Sequence, residues 1–289
     1  MTQTSCYVNG QLVDSQDAVI SVFDHGFTVA DGVFETLKFN SGQAFATSRH
    51  LRRLENSANG LGISCPPLDE IKHAIDLVSK ANQHISNGRM RITVTSGQGP
   101  LGSDRSNSKS TLVISVAEQK PWPESSEVLI VPWIRNEKSP LVSLKTTSYA
   151  ENVYALDVAH KNGFTEAVFL NSQGLVTEGT GSNIFIVKDG QVLTPGLSSG
   201  LLAGITRELL IEWAGTKFEV FEKDLFESDL YEADELFVTS STRDVHPITR
   251  LAKLVESNQV IAPRTLKVGS ITQELVEIFQ AMSSEQINP

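Results

Sequence analysis

The sequence predicts a protein of two domains, each built from both helices and strands. Stretches with the two-residue alternation of β-strands and stretches with the spacing of amphipathic helices follow one another through both halves of the chain. Between the halves, residues 118–126 are rich in proline and serine, and proline interrupts helices and strands alike. We therefore expect an N-terminal α+β domain over residues 1–120, a linker over 121–126 and a C-terminal α/β domain over 127–289.

The N-terminal half is predicted to contain a hairpin, two helices and two more strands. Asn40, Ser41 and Gly42 separate two strand-like runs, which is a typical hairpin signal. In both helical stretches the apolar side chains fall on one face, so each helix has a side to bury. The predicted elements are strands at 33–39, 43–47, 91–95 and 111–116, helices at 48–59 and 68–81, and a loop at 96–110.

The C-terminal half is predicted to alternate strands and helices more regularly. One predicted helix ends at Gly163 and another at Gly215, and a strand-like run follows each of them. Predicted strands lie at 128–133, 166–171, 182–187, 218–221 and 235–239, and predicted helices lie at 151–161, 206–214, near 228 and at 271–282.

Composition and charge narrow the class of protein. The formal charge of −10 disfavours nucleic acid as a partner, because phosphate backbones bind basic surfaces. Cys6 and Cys65 provide no disulfide framework and lack companions at metal-ligand spacing, so we expect a reducing compartment and no metal site. No apolar run approaches the ~20 residues of a membrane span, and the N-terminus lacks signal-peptide features. We expect a cytoplasmic protein that binds neither nucleic acid nor membrane.

The segment 176–185 places one carboxylate, Glu178, among small polar residues between two apolar strand-like runs. Small neighbours allow a planar ring to approach such a carboxylate closely. Pyridoxal phosphate withdraws electrons best while its ring nitrogen is protonated, and an acidic side chain keeps it so. Glu178 is therefore a candidate partner for that ring nitrogen, although a glutamate in a polar turn is equally typical of a solvated surface.

Lys145 is the candidate nucleophile. It follows an apolar stretch broken by proline and stands beside Leu144, Thr146 and Thr147. A lysine amine condenses with a cofactor aldehyde to form a Schiff base when burial lowers its pKa. An ordinary lysine at a strand end is the commoner fate of such a residue.

Three further motifs carry groups that suit a phosphate. Gly204 and Thr206 open a predicted helix, where glycine permits close approach and free N–H groups point at an anion. Ser241 lies in a run of four hydroxyl side chains that follows an apolar strand. Arg53, on a predicted helix, offers a guanidinium that matches phosphate geometry. A plain helix cap, a polar strand end and a solvated helix face are the alternatives.

In this order, the motifs resemble the fold-type IV, or class IV, family of pyridoxal-phosphate-dependent aminotransferases. The family includes branched-chain and D-amino-acid aminotransferases, R-selective amine transaminases and aminodeoxychorismate lyases. The resemblance extends from Phe34 to about Pro247, and its most specific parts are the segments 177–185 and 204–207. It implies a smaller N-terminal α+β sandwich, a larger C-terminal domain with a barrel-like sheet, and a homodimer.

The resemblance also implies a role for each candidate residue. Lys145 would be the catalytic Schiff-base lysine, Glu178 would hold the ring nitrogen, and Tyr149 would support the ring hydroxyl. The implied phosphate ligands are Arg53, Ile205, Thr206 and Ser241, and the implied substrate contacts are Phe34 and Arg91.

The implied reaction is transfer of an amino group between an amino acid, or an amine, and a 2-keto acid, with pyridoxal 5′-phosphate as cofactor. Aminodeoxychorismate lyase activity, which releases pyruvate and 4-aminobenzoate, stays open because Arg91 occupies a position where the lyases also carry a cation. Phe34, Leu101 and Ser103 differ from the D-amino-acid enzymes, which disfavours that activity. A protein that binds a phosphorylated metabolite without catalysis is the remaining alternative.

Three other arginines are candidates to bind a substrate carboxylate. They are Arg105, Arg135 and Arg243, and a surface position is the more typical fate of each. A serine hydrolase is disfavoured, because the chain lacks the Gly-x-Ser-x-Gly motif of that class.

Overall fold

The computed structural model describes residues 4–215 and 217–289, and its contacts divide it into two compact units. The first unit comprises Met1–Pro121, Leu144–Ser148 and Gln286–Pro289, and the second comprises Trp122–Ser143 and Tyr149–Glu285. Residues 1–3 of the predicted first domain, and Thr216, lie outside the described residues. No helix in the described part of the chain is long and apolar enough to cross a membrane.

The first unit is a six-stranded antiparallel sheet with two long helices. Its elements are β1 (Ser5–Val8), β2 (Gln11–Asp14), α1 (His25–Thr28), β3 (Gly32–Asn40), β4 (Gln43–Ala44), α2 (Thr47–Leu61), α3 (Leu68–Ala81), β5 (Gly88–Thr95) and β6 (Thr111–Glu118). The strand order is β2-β1-β6-β5-β3-β4, and every neighbouring pair is antiparallel. The predicted α+β sandwich is confirmed in this unit.

Helices α2 and α3 form because their apolar residues recur on one face. Leu51 and Leu54 of α2 are almost completely buried, as are Ile71 and Val78 of α3. These side chains join residues of the sheet in one apolar cluster, which is the core of the first unit. Helix α2 stops at Gly62, which adopts a left-handed conformation with φ of 72° and closes the helix end.

The second unit is built on a mixed sheet of nine strands, six of which close into a ring. Its elements are β7 (Ser126–Arg135), α4 (Ala150–Lys161), β8 (Glu166–Asn171), β9 (Val176–Gly179), β10 (Asn183–Lys188), β11 (Gln191–Pro195), α5 (Ile205–Ala214), β12 (Val220–Lys223), α6 (Glu227–Glu232), β13 (Glu235–Ser240), β14 (Asp244–Leu254), β15 (Val260–Thr265) and α7 (Ser270–Glu285). Strand β9 pairs with both β8 and β10, which closes the ring β7-β8-β9-β10-β13-β14. The predicted barrel-like sheet is therefore confirmed.

The ring is held together by two buried layers of side chains. All six strands contribute to one apolar cluster, in which Ile186, Leu236 and Ile248 stand opposite one another on neighbouring strands. On the other face of these strands Phe185 stacks on Phe237, with ring centroids 4.9 Å apart. Because both faces are covered, the middle of each strand is a continuous apolar run, at residues 184–187 of β10 and 236–238 of β13. The polar residues at the ends of these strands therefore depart from the apolar pattern.

The structure contains strands that the sequence did not predict. Strands β14 and β15 include Pro247 and Pro263, and proline disfavours a strand because it lacks an N–H donor. Pro247 is accommodated because β7 pairs with β14 only from Ile248 onward. Strands β1, β2, β9 and β11 have four or five residues each, too few for a clear alternation. Strand β12 begins at Val220 rather than at the predicted position 218.

One segment departs from the predicted partition into contiguous domains. Residues 144–148, and also 286–289, were assigned to the second domain but lie with the first unit. The amide of Phe34 in β3 donates to the carbonyl of Lys145 at 2.9 Å, so main-chain hydrogen bonding attaches the segment to the first unit. A contact between positions so distant in the chain leaves no local signal in the sequence.

Candidate active site

Lys145 is fixed by hydrogen bonds of its main chain. Its carbonyl accepts from the amide of Phe34 at 2.9 Å, and its own amide donates to the hydroxyl of Ser57 on α2 at 3.1 Å. Two residues later, the amide of Thr147 donates to the carbonyl of Gly32 at 2.8 Å. Strand β3 and helix α2 therefore supply the partners that the polar backbone of this segment requires.

The Lys145 side chain lies over an aromatic ring. Its Nζ is 4.6 Å from the centroid of the Phe34 ring, and the guanidinium of Arg91 lies 3.7 Å from the same centroid. Phe34 is buried, and both cations are attracted by the negative face of its ring. The structure thus brings together three residues that the sequence predicted separately, with Arg91 the most exposed of them.

The predicted phosphate ligand Arg53 is bound by a buried carboxylate. Its Nε and Nη2 donate to the two oxygens of Glu35, each at 2.7 Å, and Nδ1 of His50 lies 2.7 Å from Oε2 of the same residue. Glu35 and His50 were not among the residues predicted from the sequence. Glu35 was detectable, because it stands in phase with Val33 and Leu37 on the apolar face of β3.

Opposing effects set the charges of this cluster. Burial by itself raises the pKa of Glu35, but the charge and hydrogen bonds of Arg53 and His50 outweigh it and lower that pKa to about 2. Burial lowers the pKa of His50, Glu35 opposes the change, and the positive charges of Arg53 and Lys145 lower it further. At neutral pH the folded protein therefore contains an ionised Glu35 beside a neutral His50.

In the second unit, Glu178 is held at the junction of β9 and β10. It stands opposite Asn183 in the ladder, and its Oε2 accepts a hydrogen bond from the amide of Leu202 at 3.0 Å. The pairing of β8 with β9 shifts register between Val168 and Leu170, which is a bulge next to the glutamate. Bulges re-aim side chains at strand ends, and the Glu178 side chain remains 14% exposed.

Arg135 lies beside Glu178. Its Nε is 3.9 Å from Oε1 of the glutamate, and its guanidinium lies 4.4 Å from the centroid of the Phe169 ring. Nη2 donates to Oδ1 of Asn152 at 3.2 Å. A cation at this distance stabilises the negative charge of Glu178. Arg135, a candidate for binding a substrate carboxylate, is thus paired with an internal carboxylate.

The start of α5 is joined to Glu178 through Leu202. The helix begins at Ile205, and Gly204 at its N-cap provides no side-chain cap. Asn183, the ladder neighbour of Glu178, donates from Nδ2 to the carbonyl of Leu202 at 2.9 Å. A Cβ added to Gly204 would overlap Oδ1 of Asn183, so this approach requires a glycine.

The same region offers hydrogen-bond donors to an anion. Ile205 and Thr206 occupy the first turn of α5, whose opening N–H groups receive no side-chain cap. The hydroxyl of Thr239, opposite Asn183 in the ladder, is buried and has no hydrogen-bond partner among the residues that the structure describes. An uncapped helix start and an unsatisfied hydroxyl are groups that a phosphate satisfies.

The remaining candidates lie at the edges of these elements. Ser241 is half-buried in the connection between β13 and β14, where Arg243 is bound to Glu166. Tyr149 is half-buried and precedes α4, and its carbonyl accepts from the amide of Val153 at 3.0 Å. Their roles stay predictions, as do those of the other site residues.

Each unit by itself carries groups that suit a part of pyridoxal phosphate. The first unit supplies a lysine amine, which suits an aldehyde, and arginine guanidinium groups, which suit phosphate or carboxylate groups. The second unit supplies a carboxylate, which suits a protonated ring nitrogen, and an uncapped helix start, which suits a phosphate. Among residues 4–215 and 217–289, no three or more His, Cys, Asp and Glu side chains are grouped to hold a metal ion.

Comparison with known proteins agrees with this chemistry. The sequence pattern of the family described as Amino-transferase class IV matches residues 32–251. A protein of Methanocaldococcus jannaschii, provisionally named branched-chain-amino-acid aminotransferase, is 34% identical over 95% of this chain and 94% of its own. An aminodeoxychorismate lyase of Bacillus subtilis is 32% identical over 88% of each chain. The structure of a branched-chain aminotransferase of Thermoproteus uzoniensis with norvaline has a TM-score of 0.87 and 28% identity, covering 97% of this chain and 94% of that one.

The comparisons define an enzyme that uses pyridoxal phosphate. The chain belongs to the class IV aminotransferase family, because the family pattern covers most of its length. Class IV aminotransferases are pyridoxal-phosphate enzymes, so the predicted cofactor and the predicted class of enzyme are confirmed. Because the chain belongs to a family of enzymes, the alternative of a non-catalytic binding protein is wrong.

The Glu35 cluster makes the stability of the protein sensitive to acid. Because the pKa of Glu35 is depressed from 4.5 to about 2, its contribution is complete above pH 4.5 and is lost as the pH falls toward 2. We expect Glu35→Gln to lower the free energy of unfolding at pH 7 by roughly 3–5 kcal/mol, as for other broken buried ion pairs, and to flatten its decline below pH 4.5. Urea unfolding across this pH range measures both effects. Asp69→Asn, at an exposed ion pair, is the control, and equal pH profiles for the two variants would contradict the assignment.

Proposed function

We propose that this enzyme transfers the amino group of an amino acid with a branched apolar side chain to a 2-keto acid. The observation that carries the proposal is the buried ring of Phe34 beside Nζ of Lys145, because an apolar wall suits an apolar side chain. The relative from Methanocaldococcus jannaschii and the Thermoproteus uzoniensis enzyme, both named for branched-chain substrates, support it.

Lys145 performs the proton transfer in this proposal. Pyridoxal phosphate, when bound, supplies an aldehyde that joins an amine and a ring that withdraws electrons from the adjacent carbon. With the cofactor bound, the Nζ of Lys145 would hold its aldehyde and would act as general base and acid toward the substrate α-proton. The main-chain bonds to β3 and the Phe34 ring hold Nζ at one place, which favours one geometry of proton transfer.

Glu178 keeps the proton on the ring nitrogen. Its carboxylate stays in place through the amide of Leu202, and its negative charge is supported by Arg135. An ionised carboxylate favours a protonated ring, which is the form that withdraws electrons. Tyr149 supports the ring hydroxyl side, as the family resemblance implies.

The phosphate is bound by backbone and side-chain donors. Ile205 and Thr206 offer the amides of the first turn of α5, where the helix dipole favours negative charge. Ser241 adds a hydroxyl, and Arg53, held in place by Glu35, adds a guanidinium. Arg91, with its guanidinium on the Phe34 ring, binds the substrate carboxylate.

Aminodeoxychorismate lyase activity is the second candidate. The Bacillus subtilis lyase, 32% identical over 88% of this chain, is the observation that favours it. A lyase would use Lys145 in the same way to remove the α-proton, but pyruvate would leave without an amino acceptor. The two reactions therefore differ in their products and not in their first proton transfer.

The two candidates are separated by their products. We expect the purified enzyme to convert leucine and 2-oxoglutarate to glutamate and the matching keto acid, because the apolar wall of Phe34 accepts the leucine side chain. Each substrate omitted in turn is the control. If the enzyme instead releases pyruvate and 4-aminobenzoate from aminodeoxychorismate with no acceptor, and makes no glutamate, the proposed function is wrong.

The role of Lys145 is tested by its removal. Lys145→Ala should lose the visible absorbance of the covalently bound cofactor, and its turnover should fall by at least the ~10²–10⁴-fold that a general acid–base contributes. Absorbance spectra and steady-state rates of the two proteins are the measurements. Lys267→Ala, at an exposed lysine of the second unit, is the control and should match the wild type. Turnover of Lys145→Ala close to the wild-type value would refute the assignment.

We also infer that the chain forms a homodimer and works in the cytoplasm. Val19, Val22, Phe23 and Phe27 are exposed by 50–76%, an apolar surface that in a soluble protein typically marks a protein contact. The family resemblance implies a second copy of this chain as the partner. The two free cysteines, Cys6 and Cys65, support a reducing compartment.

The proposed dimer predicts a clear effect of charge at its surface. Phe27→Asp should give a monomer, because burying an unpaired carboxylate in an apolar contact is unfavourable. Light scattering coupled to gel filtration measures the mass. Val268→Asp alters an exposed apolar residue of the second unit and should remain dimeric. A wild-type protein of monomer mass, about 31.5 kDa, would contradict the dimer.

A further inference from the structure

Glu166 is a buried carboxylate to which none of the steps above assigns a role. It opens β8, and its side chain is about 1% exposed. Its Oε1 accepts from the amide of Thr180 at 3.0 Å and from the hydroxyl of the same residue. Its Oε2 accepts from the hydroxyl of Ser182 at 3.0 Å and from Nη2 of Arg243. Four hydrogen bonds from two separate loops therefore converge on one carboxylate.

One of these loops adjoins a residue of the proposed cofactor site and the other contains one. Thr180 and Ser182 belong to the turn between β9 and β10, and Glu178 is the second-last residue of β9. Arg243 belongs to the connection between β13 and β14, which contains Ser241. The carboxylate thus links the element proposed to hold the ring nitrogen with an element proposed to hold the phosphate.

The turn after Glu178 closes tightly over Glu166. The amide of Gly179 donates to the carbonyl of Ser182 at 2.7 Å, and Nδ2 of Asn152 donates to the carbonyl of Thr180 at 2.6 Å. A Cβ added to Gly179 would overlap the hydroxyl of Ser182 and lie 3.2 Å from Cδ of Glu166. The position of this turn is therefore set by the carboxylate beneath it.

Arg243 is held on three sides. Its side chain is 6% exposed, its guanidinium lies 4.8 Å from the centroid of the Trp122 ring, and its Nε donates to the hydroxyl of Ser240 at 3.3 Å. The third contact is the ion pair with Glu166. Arg243, a candidate for binding a substrate carboxylate, is thus paired with an internal carboxylate and connects the Ser241 loop to Glu166.

The charge of Glu166 is maintained by Arg243. Burial raises the pKa of Glu166, but the positive charge of Arg243 and the hydrogen bonds from Thr180, Arg243 and Ser182 together lower it below its ordinary value. Glu166 is therefore ionised at neutral pH. A glutamine has the same shape but only one acceptor oxygen, so it can keep the hydrogen bonds from Thr180 but cannot also accept from Ser182 and Arg243, and it loses the attraction for the guanidinium.

We propose that Glu166, through its ion pair with Arg243, is a positioning residue for the cofactor, and that it sets the affinity for pyridoxal phosphate by fixing the turn after Glu178 and the Ser241 loop relative to each other. The inference rests on the proposed function. Neither residue needs to touch the reacting atoms. Outer groups that orient binding residues typically change affinity by roughly 10–100-fold when removed.

The test measures cofactor binding separately from activity and from folding. Apo-protein is titrated with pyridoxal phosphate and with pyridoxal, and its melting temperature is recorded without cofactor. Glu166→Gln should weaken binding of pyridoxal phosphate by roughly 10–100-fold. Arg243→Met should weaken binding of pyridoxal phosphate more than binding of pyridoxal, because it releases the Ser241 loop on the phosphate side. A merely structural pair would lower the melting temperature and leave both dissociation constants unchanged.

A double variant and a matched control complete the test. Glu166→Gln with Arg243→Met removes both buried charges, so it avoids the unpaired charge that destabilises each single variant. It should fold and still bind pyridoxal phosphate roughly 10–100-fold more weakly. Glu127→Gln breaks a half-exposed pair with Arg250, 3.1 Å long, in the same unit and should bind normally. Wild-type affinity in the double variant overturns the inference alone, whereas a wild-type protein that binds no cofactor overturns the proposed function as well.

Discussion

The main-chain pairing of the lysine segment with β3 is the constraint on which the rest of the first unit's chemistry depends. The carbonyl of Lys145 and the amide of Thr147 bond to β3, although residues on both sides of the segment belong to the second unit. Backbone groups that leave water must find partners, so the segment has little freedom to lie elsewhere. The amine therefore stands over Phe34 because of hydrogen bonds in which its own side chain takes no part.

In both units, a buried carboxylate paired with an arginine holds polar residues in place. Glu35 binds Arg53 and His50 in the first unit, and Glu166 binds Arg243 in the second. Desolvation makes such pairs costly, and they contribute less to stability than apolar packing of the same volume. These ion pairs fix the relative positions of several elements, because each carboxylate accepts hydrogen bonds from more than one element at once. If one of those elements moves, its hydrogen bonds to the carboxylate are lost.

The sequence predicted what local pattern encodes. Helices α2 and α3 followed from their apolar spacing. Motifs with a definite chemistry led to Lys145 and Glu178 as candidates, and their roles stay predictions. Partners supplied from far along the chain were not predicted, because no spacing rule connects Glu166 to Arg243, which is 77 positions away. Strand β14 was missed because Pro247 lies within it, and its neighbours override the local preference.

Strand β3 carries Phe34 and Glu35 on opposite faces. The phenylalanine faces the lysine amine, and the glutamate faces His50 and Arg53 of α2. A slip of one residue in the pairing with β5 would exchange the two faces, placing the carboxylate where the ring belongs and the ring among the cations. The register of β3 against β5 therefore fixes which side chains lie on each face of the sheet. It determines not only whether the sheet is stable but also which chemical surface each side of it presents.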